Sequence, residues 1–385
     1  MKILALDLGK NKTVYCEYDT DACTGTGTAS PGAKAGPKAG VVYGKVRTTP
    51  QDLHDLVARL GPARVVFETC SAAGWVYDLA AALEVEVQVA NPNHEGWRWR
   101  HVKKKTDRVD ALKLAQLSAA GQLPLVHMPA PDVRQWRSLI AYRHGLVDRR
   151  TAVKNHIRAV VERQGGSLPP GKAAWSEGQL AVLASEARNA AEVKDEELWR
   201  LELHEELRCL ADLEARVEAV EAKLAAVAES KKAVALLRTA PGVGPRLAEL
   251  VVSALDDPGR FKSGKQVGSY AGLTPRQFQS GQSDRQGHIS RMGNGLLREV
   301  LVEVAWLGLG TSAWMRRVYE QVRRGSDQRK KVAIVAVARR LLVRLWAMLR
   351  DGRPWEEEPA PRPRPTPTGP ASAPASAPAA CGVVG

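Results

Sequence analysis

The sequence predicts an α/β domain over residues 1–128, a helical middle with a coiled coil over 129–230, and a mostly helical region over 231–352 containing a helix-hairpin-helix turn. Three observations carry that division. Short apolar runs alternate with helix-period segments in the first third of the chain, the pattern of a sheet with helices packed on it. From Leu203 onward, apolar residues recur at three-four spacing (Leu207, Leu210, Leu213, Val217, Val220, Leu224, Val227) for more than three heptads. Charged residues fill the positions between them, which favours a coiled coil, intermolecular or antiparallel, over a helix packed only within its own domain. Third, a Pro-Gly-Val-Gly-Pro run at 241–245 separates two apolar helical stretches.

In chain order, MKILALDLG reads as a strand, and VYCEY and GVVYGKV as a hairpin pair. The Gly/Ala/Thr-rich stretch between that pair reads as a loop insertion. TTPQDLHDLVARLG has a Thr48-Thr49-Pro50 start signal and helical periodicity. ARVVFETC is a strand, GWVYDLAAALEV a helix, EVQVANP a strand, and TDRVDALKLAQLSAAG a helix capped by Thr106. The middle region is helical apart from a break at GGSLPPGKAAW. SYAGLTPRQFQSGQSDRQGHISRMGN reads as a loop, followed by two apolar helices, GLLREVLVEVAWLGL and KKVAIVAVARRLLVRLWAML. The tail, 353–385, holds nine of the 23 prolines and is expected to be disordered, because it offers too little apolar surface to pack.

The chain carries a formal net charge of +14, which suits a polyanionic partner such as nucleic acid. Its five cysteines are scattered with no Cys-x-x-Cys pair, which supports neither a zinc site nor a disulfide framework. No apolar run spans a bilayer and no signal peptide is evident, so a cytoplasmic protein without a membrane partner is expected.

Four acids stand out. Asp7 and Glu68 close apolar strand-like runs, where a carboxylate is costly unless a positive partner meets it. Asp107 and Asp110 lie three apart on a predicted helix, hence on one face. Carboxylate oxygens of this kind are what Mg²⁺ takes, and three or four of them suffice for one or two ions that assist phosphoryl transfer. Arg98, Arg100, Lys103, Lys104, Lys105 and Arg108 abut that helix and are candidates for phosphate-backbone contacts, with Trp97 and Trp99 as candidate stacking residues. Gly242, Gly244 and Arg246 belong to the 241–246 turn, which would aim backbone N–H groups at a phosphate. Ser280 lies among Arg276, Arg285, Arg291 and Arg298. A serine there could attack a phosphodiester with arginines stabilising the charge, although residue type alone does not set it apart from Ser283 and Ser290.

Together these motifs resemble the insertion-sequence-110 family of transposases, over nearly all of the chain up to about residue 350. The N-terminal part resembles a RuvC-type, ribonuclease-H-like domain with a DEDD set, matched by Asp7, Glu68, Asp107 and Asp110. The C-terminal part resembles the family's transposase domain through PGVGP, GLTPRQ, Ser280-Gly281, GHIS and RMGN. The chain departs from the family's frequent Ser-Ser-Gly-Gly in having Gln279-Ser280-Gly281-Gln282.

The resemblance implies a DNA recombinase of an insertion sequence that cuts and rejoins strands through a phosphoserine intermediate at Ser280. It further implies guidance by a structured bridge RNA, dimers pairing into a tetramer, completion of one subunit's transposase domain by another's RuvC-like domain, and action at the bacterial nucleoid. The rival expectation is a metal-dependent, structure-specific nuclease of junction-resolvase type, which would need the acids and water alone.

Overall fold

The computed structural model describes residues 1–24, 40–92, 106–280 and 283–357. Arg98, Arg100, Lys103, Lys104, Lys105, the Gly/Ala-rich stretch 25–39 and the tail beyond 357 lie outside the described residues. The described residues divide into two compact units, one from within 1–231 with 249–258 and the other from 232–248 with those of 259–357.

The first unit begins with a five-stranded mixed sheet in the order β3-β2-β1-β4-β5. Its strands are β1 (Lys2–Leu8), β2 (Lys12–Asp19), β3 (Val41–Arg47), β4 (Arg64–Glu68) and β5 (Glu86–Ala90), with the short helix α1 (Thr20–Thr24) after β2. β1 runs antiparallel to β2 and parallel to β4. Side chains alternate between faces along a strand, and both faces of this sheet are covered. Leu4, Leu6, Val65, Phe67 and Val89 pack with buried residues of α2 (Pro50–Leu60) and α3 (Ala73–Ala82), including Leu53, Leu56, Val57 and Val76. Ile3, Ala5, Cys16, Val66 and Ala90 pack against Ala111, Leu114 and Ala115 of α4 (Asp107–Ala119). Each of the large side chains contributes about 1.5–3 kcal/mol by burial, so strand register and helix placement are fixed together.

Local sequence sets the helix ends. The Thr49 hydroxyl accepts from the Asp52 N–H, and Gly61 closes α2 in a left-handed conformation with its N–H on the Val57 carbonyl. Thr106 occupies the cap position of α4, but its side chain makes no cap hydrogen bond, contrary to the sequence expectation.

Three further helices follow in this unit: α5 (Pro131–Arg163), α6 (Glu177–Glu186) and α7 (Trp199–Glu229). The apolar row of α7 is buried within the chain itself. Leu203 and Leu210 pack with Ile157 and Val160, while Leu213 and Val217 pack with Leu146. Arg143 bonds Glu221 at 2.7 Å, Lys154 pairs with Glu214 at 3.0 Å, and Arg163 with Glu202 at 2.8 Å, a descending order that makes α5 and α7 antiparallel.

α8 (Lys232–Leu237) opens the second unit, and α9 (Pro245–Leu255) begins in it and ends in the first. In the first unit, Arg137 donates to the Ser253 and Ala254 carbonyls at 2.6 and 3.1 Å, placing a cation on the C-terminal end of α9. α10 (Gly264–Tyr270) leads to a two-stranded hairpin, β6 (Pro275–Ser280) and β7 (Ser283–Ile289), then α11 (Gly295–Thr311), α12 (Ala313–Arg323) and α13 (Lys330–Asp351). α13 buries Ile334, Val337, Leu341, Leu342, Leu345 and Trp346 among others, as its apolar sequence requires.

Three expectations are corrected here. The stretch read as a loop contains a β-hairpin; its strands, PRQFQS and SDRQGHI, are too uniformly polar to display a strand period. The helix α12 was not anticipated; only Met315, Val318 and Tyr319 mark its buried side. Disorder does not begin at Arg353. Trp355 lies against Trp314 and Arg344, with ring centroids 5.4 Å apart and the Arg344 guanidinium 3.6 Å from the Trp355 ring. Glu357 accepts from the Trp314 N–H at 2.7 Å and the Ser312 hydroxyl at 3.1 Å, at the start of α12. Aromatic area and a helix-end carboxylate hold these few residues where composition predicted none to be held.

Candidate active site

The register of the sheet puts two of the four acids side by side. Leu6 is level with Phe67 in the parallel pair, so Asp7 and Glu68 are level one residue later, on strands about 4.8 Å apart. Ile3 and Ala5 of β1 and Val66 of β4 face α4, and alternation assigns Asp7 and Glu68 to that same face. Both are half-buried at the C-terminal ends of their strands.

The helix α4 brings the other two acids to the same face. Asp110 is half-buried, and Asp107 is exposed at the first position of the helix. A residue that sequence reasoning passed over lies between the elements: Lys113, one turn beyond Asp110. Burial lowers the pKa of its ammonium, while the charges of Asp110 and Glu68 pull it back upward. One cation is thus within electrostatic reach of a helix acid and a strand acid. Its signal was the spacing of DALK, which puts Lys113 on the face of Asp110. Asp107 instead lies within electrostatic reach of Lys45 on β3.

Among the described residues, no three His, Cys, Asp or Glu side chains are grouped so as to hold a metal ion. The donor type, the shared face and the shared sheet end fit a hard divalent cation. The acids, however, stand as a strand pair and a helix pair whose charges are partly met by Lys113 and Lys45. Arg108, adjacent to Asp107, lays its guanidinium 5.7 Å from the Tyr43 ring.

In the second unit, Gly242 adopts φ +75° in the turn before α9, where a residue with a Cβ would be strained. Gly244 has open space around it and directly precedes α9, whose first residues are Pro245 and Arg246. Ser280 is the last residue of β6 and pairs with Ser283 of β7 at the hairpin tip. Arg276, Arg285 and Arg291 are exposed, with Arg276 reaching the Ser290 carbonyl at 3.4 Å and Arg291 at φ +55°.

Arg298 differs from the other three arginines. It donates to the carbonyls of Met292, Ala271 and Gly293 at 2.9, 3.1 and 3.3 Å, so it clamps the base of the hairpin. Burial is the main cause of its lowered pKa.

The chain is similar to known proteins across both units. A profile of the Transposase IS116/IS110/IS902 family matches residues 234–320, the segment holding the Pro-Gly turn and Ser280. A DEDD transposase profile of the IS110 type matches residues 37–164, which include Glu68, Asp107 and Asp110. Similar relatives include the transposase for insertion sequence element IS1111A of Coxiella burnetii, 29% identical over 76% of this chain and 79% of the relative. A probable family 20 transposase of Pseudomonas aeruginosa is 27% identical over 77% of this chain and 87% of its own. The pilin gene-inverting protein of Moraxella bovis is 24% identical over 71% of this chain and 75% of its own. Among the described residues, no helix is long and apolar enough to cross a membrane.

Proposed function

The chain belongs to the IS110 family of transposases, a DNA recombinase of an insertion sequence, and from that premise we propose that it breaks and rejoins DNA through a serine-linked intermediate assisted by the acidic face of its first unit. The observation that supports this reading most is the level placement of Asp7 and Glu68 on one sheet face, under the helix carrying Asp107 and Asp110. Four carboxylates gathered at the C-terminal edge of a sheet, their charge met in part by Lys113 and Lys45, are the donor type that a hard divalent cation takes.

In the proposed reaction the Ser280 oxygen attacks phosphorus. An oxygen–phosphorus bond to serine forms as one phosphorus–oxygen bond to deoxyribose breaks, and the serine proton passes to solvent or to the leaving oxygen. A sugar hydroxyl of the exchanged strand then attacks the phosphoserine and frees Ser280. One phosphodiester is lost and one regained, and no water is consumed. Arg276, Arg285 and Arg291, exposed along or beside the hairpin, supply charge to the five-coordinate phosphorus. A divalent cation, Mg²⁺, would be held by Asp7, Glu68, Asp107 and Asp110 and would supply Lewis-acid stabilisation of phosphoryl charge, the first unit of one copy completing the second unit of another. The turn at Gly242 and Gly244, read as a helix-hairpin-helix, and Arg246, Arg108 and the basic run 98–105 hold the DNA backbone without reading bases. In this reading a structured bridge RNA selects sequence by pairing, α5 and α7 form an antiparallel coiled coil within the chain, and copies assemble into dimers and tetramers.

The test is an adduct assay on denaturing gels with end-labelled DNA carrying the element ends, supplied with the RNA transcribed beside the gene. Wild-type protein is expected to form a protein–DNA adduct and Ser280→Ala to form none. Full cleavage by Ser280→Ala would replace this reading with that of a water-using nuclease.

A further inference from the structure

On the face that carries the acids, a second cluster stands on the two outer strands. Lys12 of β2 and Lys45 of β3 are exposed and stand on adjacent strands. Val14 is level with Lys45 and Lys12 with Arg47, so Lys12 and Lys45 are diagonal cross-strand neighbours. Alternation puts them on the α4 side, since Cys16 of β2 and Tyr43 of β3 pack there. Arg108 comes from α4 to the same place, over the Tyr43 ring. The charge facing Lys45 is therefore Lys12 and Arg108, relieved by Asp107. Among the described residues, none of Lys12, Lys45 and Arg108 forms a direct ion pair.

A lysine ammonium has three donors and no acceptor. Two of them on diagonal cross-strand positions present only donors, and Lys12 is the largest cause of the lowered pKa of Lys45. An arrangement that opposes stability at an exposed site marks a place where an outside group completes it. The group that would complete this one is an anion with several acceptor oxygens.

Location narrows the choice. Asp7 is level with Val14, and Val14 with Lys45, so Lys45 lies two strands from Asp7 on the same row. Two strand spacings are about 10 Å, or about three nucleotides of a B-form strand. We propose that Lys12, Lys45 and Arg108 form a phosphate cradle that holds the DNA strand a few nucleotides from the bond positioned over the acidic face. The proposal rests on the recombinase reading above and adds to it the subsite that fixes the strand's path across the sheet.

The experiment measures fluorescence anisotropy of the full chain with a fluorescein-labelled DNA duplex in EDTA, across a salt series. Lys12→Gln/Lys45→Gln is expected to weaken binding by about tenfold or more and to shrink the slope of log affinity against log salt by nearly two. Its melting temperature is expected to stay level or rise, a result that a structural role for the lysines would not give. Lys12→Arg/Lys45→Arg should keep the slope.

An unchanged slope in the Gln variant, with wild-type protein binding normally, would overturn the cradle and leave the recombinase reading standing. Loss confined to a labelled RNA hairpin would overturn the assignment to DNA. Failure of the wild-type chain to bind DNA at any salt would sink both.

Discussion

Asp7 and Glu68 are lateral neighbours, one residue beyond the level pair Leu6 and Phe67 in parallel strands, on the face that α4 covers. Nothing local brings them together: 61 positions separate them in the chain. The register is set by the apolar residues that precede them, so the same burial that stabilises the sheet delivers two carboxylates to one edge.

Asp7→Asn or Glu68→Gln is therefore expected to abolish strand exchange, by at least about a hundredfold. Folding should be retained, because both side chains are half-buried at strand ends and not in the core. Recombination of a two-plasmid reporter and a thermal melt of the purified variants check the two halves separately. A variant that recombines at the wild-type rate would remove that residue from the chemistry.

Gly272 and Gly293 give a prediction about the serine hairpin. A Cβ on Gly272 would lie 2.0 Å from the Met292 carbonyl oxygen, and one on Gly293 would lie 2.0 Å from that of Tyr270. Both residues also have positive φ, +67° and +79°. Backbone meets backbone here, so no side chain can move aside. Gly272→Ala and Gly293→Ala should each cost at least about 1–3 kcal/mol, read as a lower denaturation midpoint.

The α5–α7 pair separates burial from charge. Leu203 is fully buried against Ile157, so Leu203→Ala should cost about 2–5 kcal/mol. Glu221→Ala removes a partly exposed pair with Arg143 and should cost about 1 kcal/mol or less. Urea unfolding of both variants tests the order; a reversed order would mean that α7 is not held by this apolar row.

Glu357 supplies a pH dependence. The indole of Trp355 and then the backbone N–H of Trp314 hold its carboxyl below the usual range. A depressed folded pKa gives stability that is present above the unfolded value and lost as pH falls through the folded one. Glu357→Gln should lower stability by about 1 kcal/mol near neutral pH. The gap to wild type should close as pH drops below about 4.3. A gap independent of pH would show that the charge is not what matters.

Much of this fold is legible in the residues. Apolar runs bounded by Gly and Pro mark β1, β4 and β5, and Thr49-Pro50 marks the start of α2. The hairpin β6–β7 was hidden because both its strands are polar, so period-two alternation had nothing to display. The docked Trp355 and Glu357 were hidden because their partners, Trp314, Arg344 and Ser312, lie far upstream in sequence. Among site residues, the four acids could be picked out by type and context, whereas Lys12, Lys45 and Lys113 look like ordinary surface charges in the chain.

The sequence by itself determined the elements, the apolar faces that must be covered, and which carboxylates stand where burial makes a charge expensive, because those follow from short-range periodicity and transfer energy. Only the tertiary structure decided that Glu68 is level with Asp7, that Lys113 lies within electrostatic reach of both Asp110 and Glu68, and that Lys12 and Lys45 are diagonal cross-strand neighbours. Strand register and helix docking are long-range outcomes of packing, and one residue of slip in a strand would carry Asp7, Glu68, Lys12 or Lys45 to the opposite face.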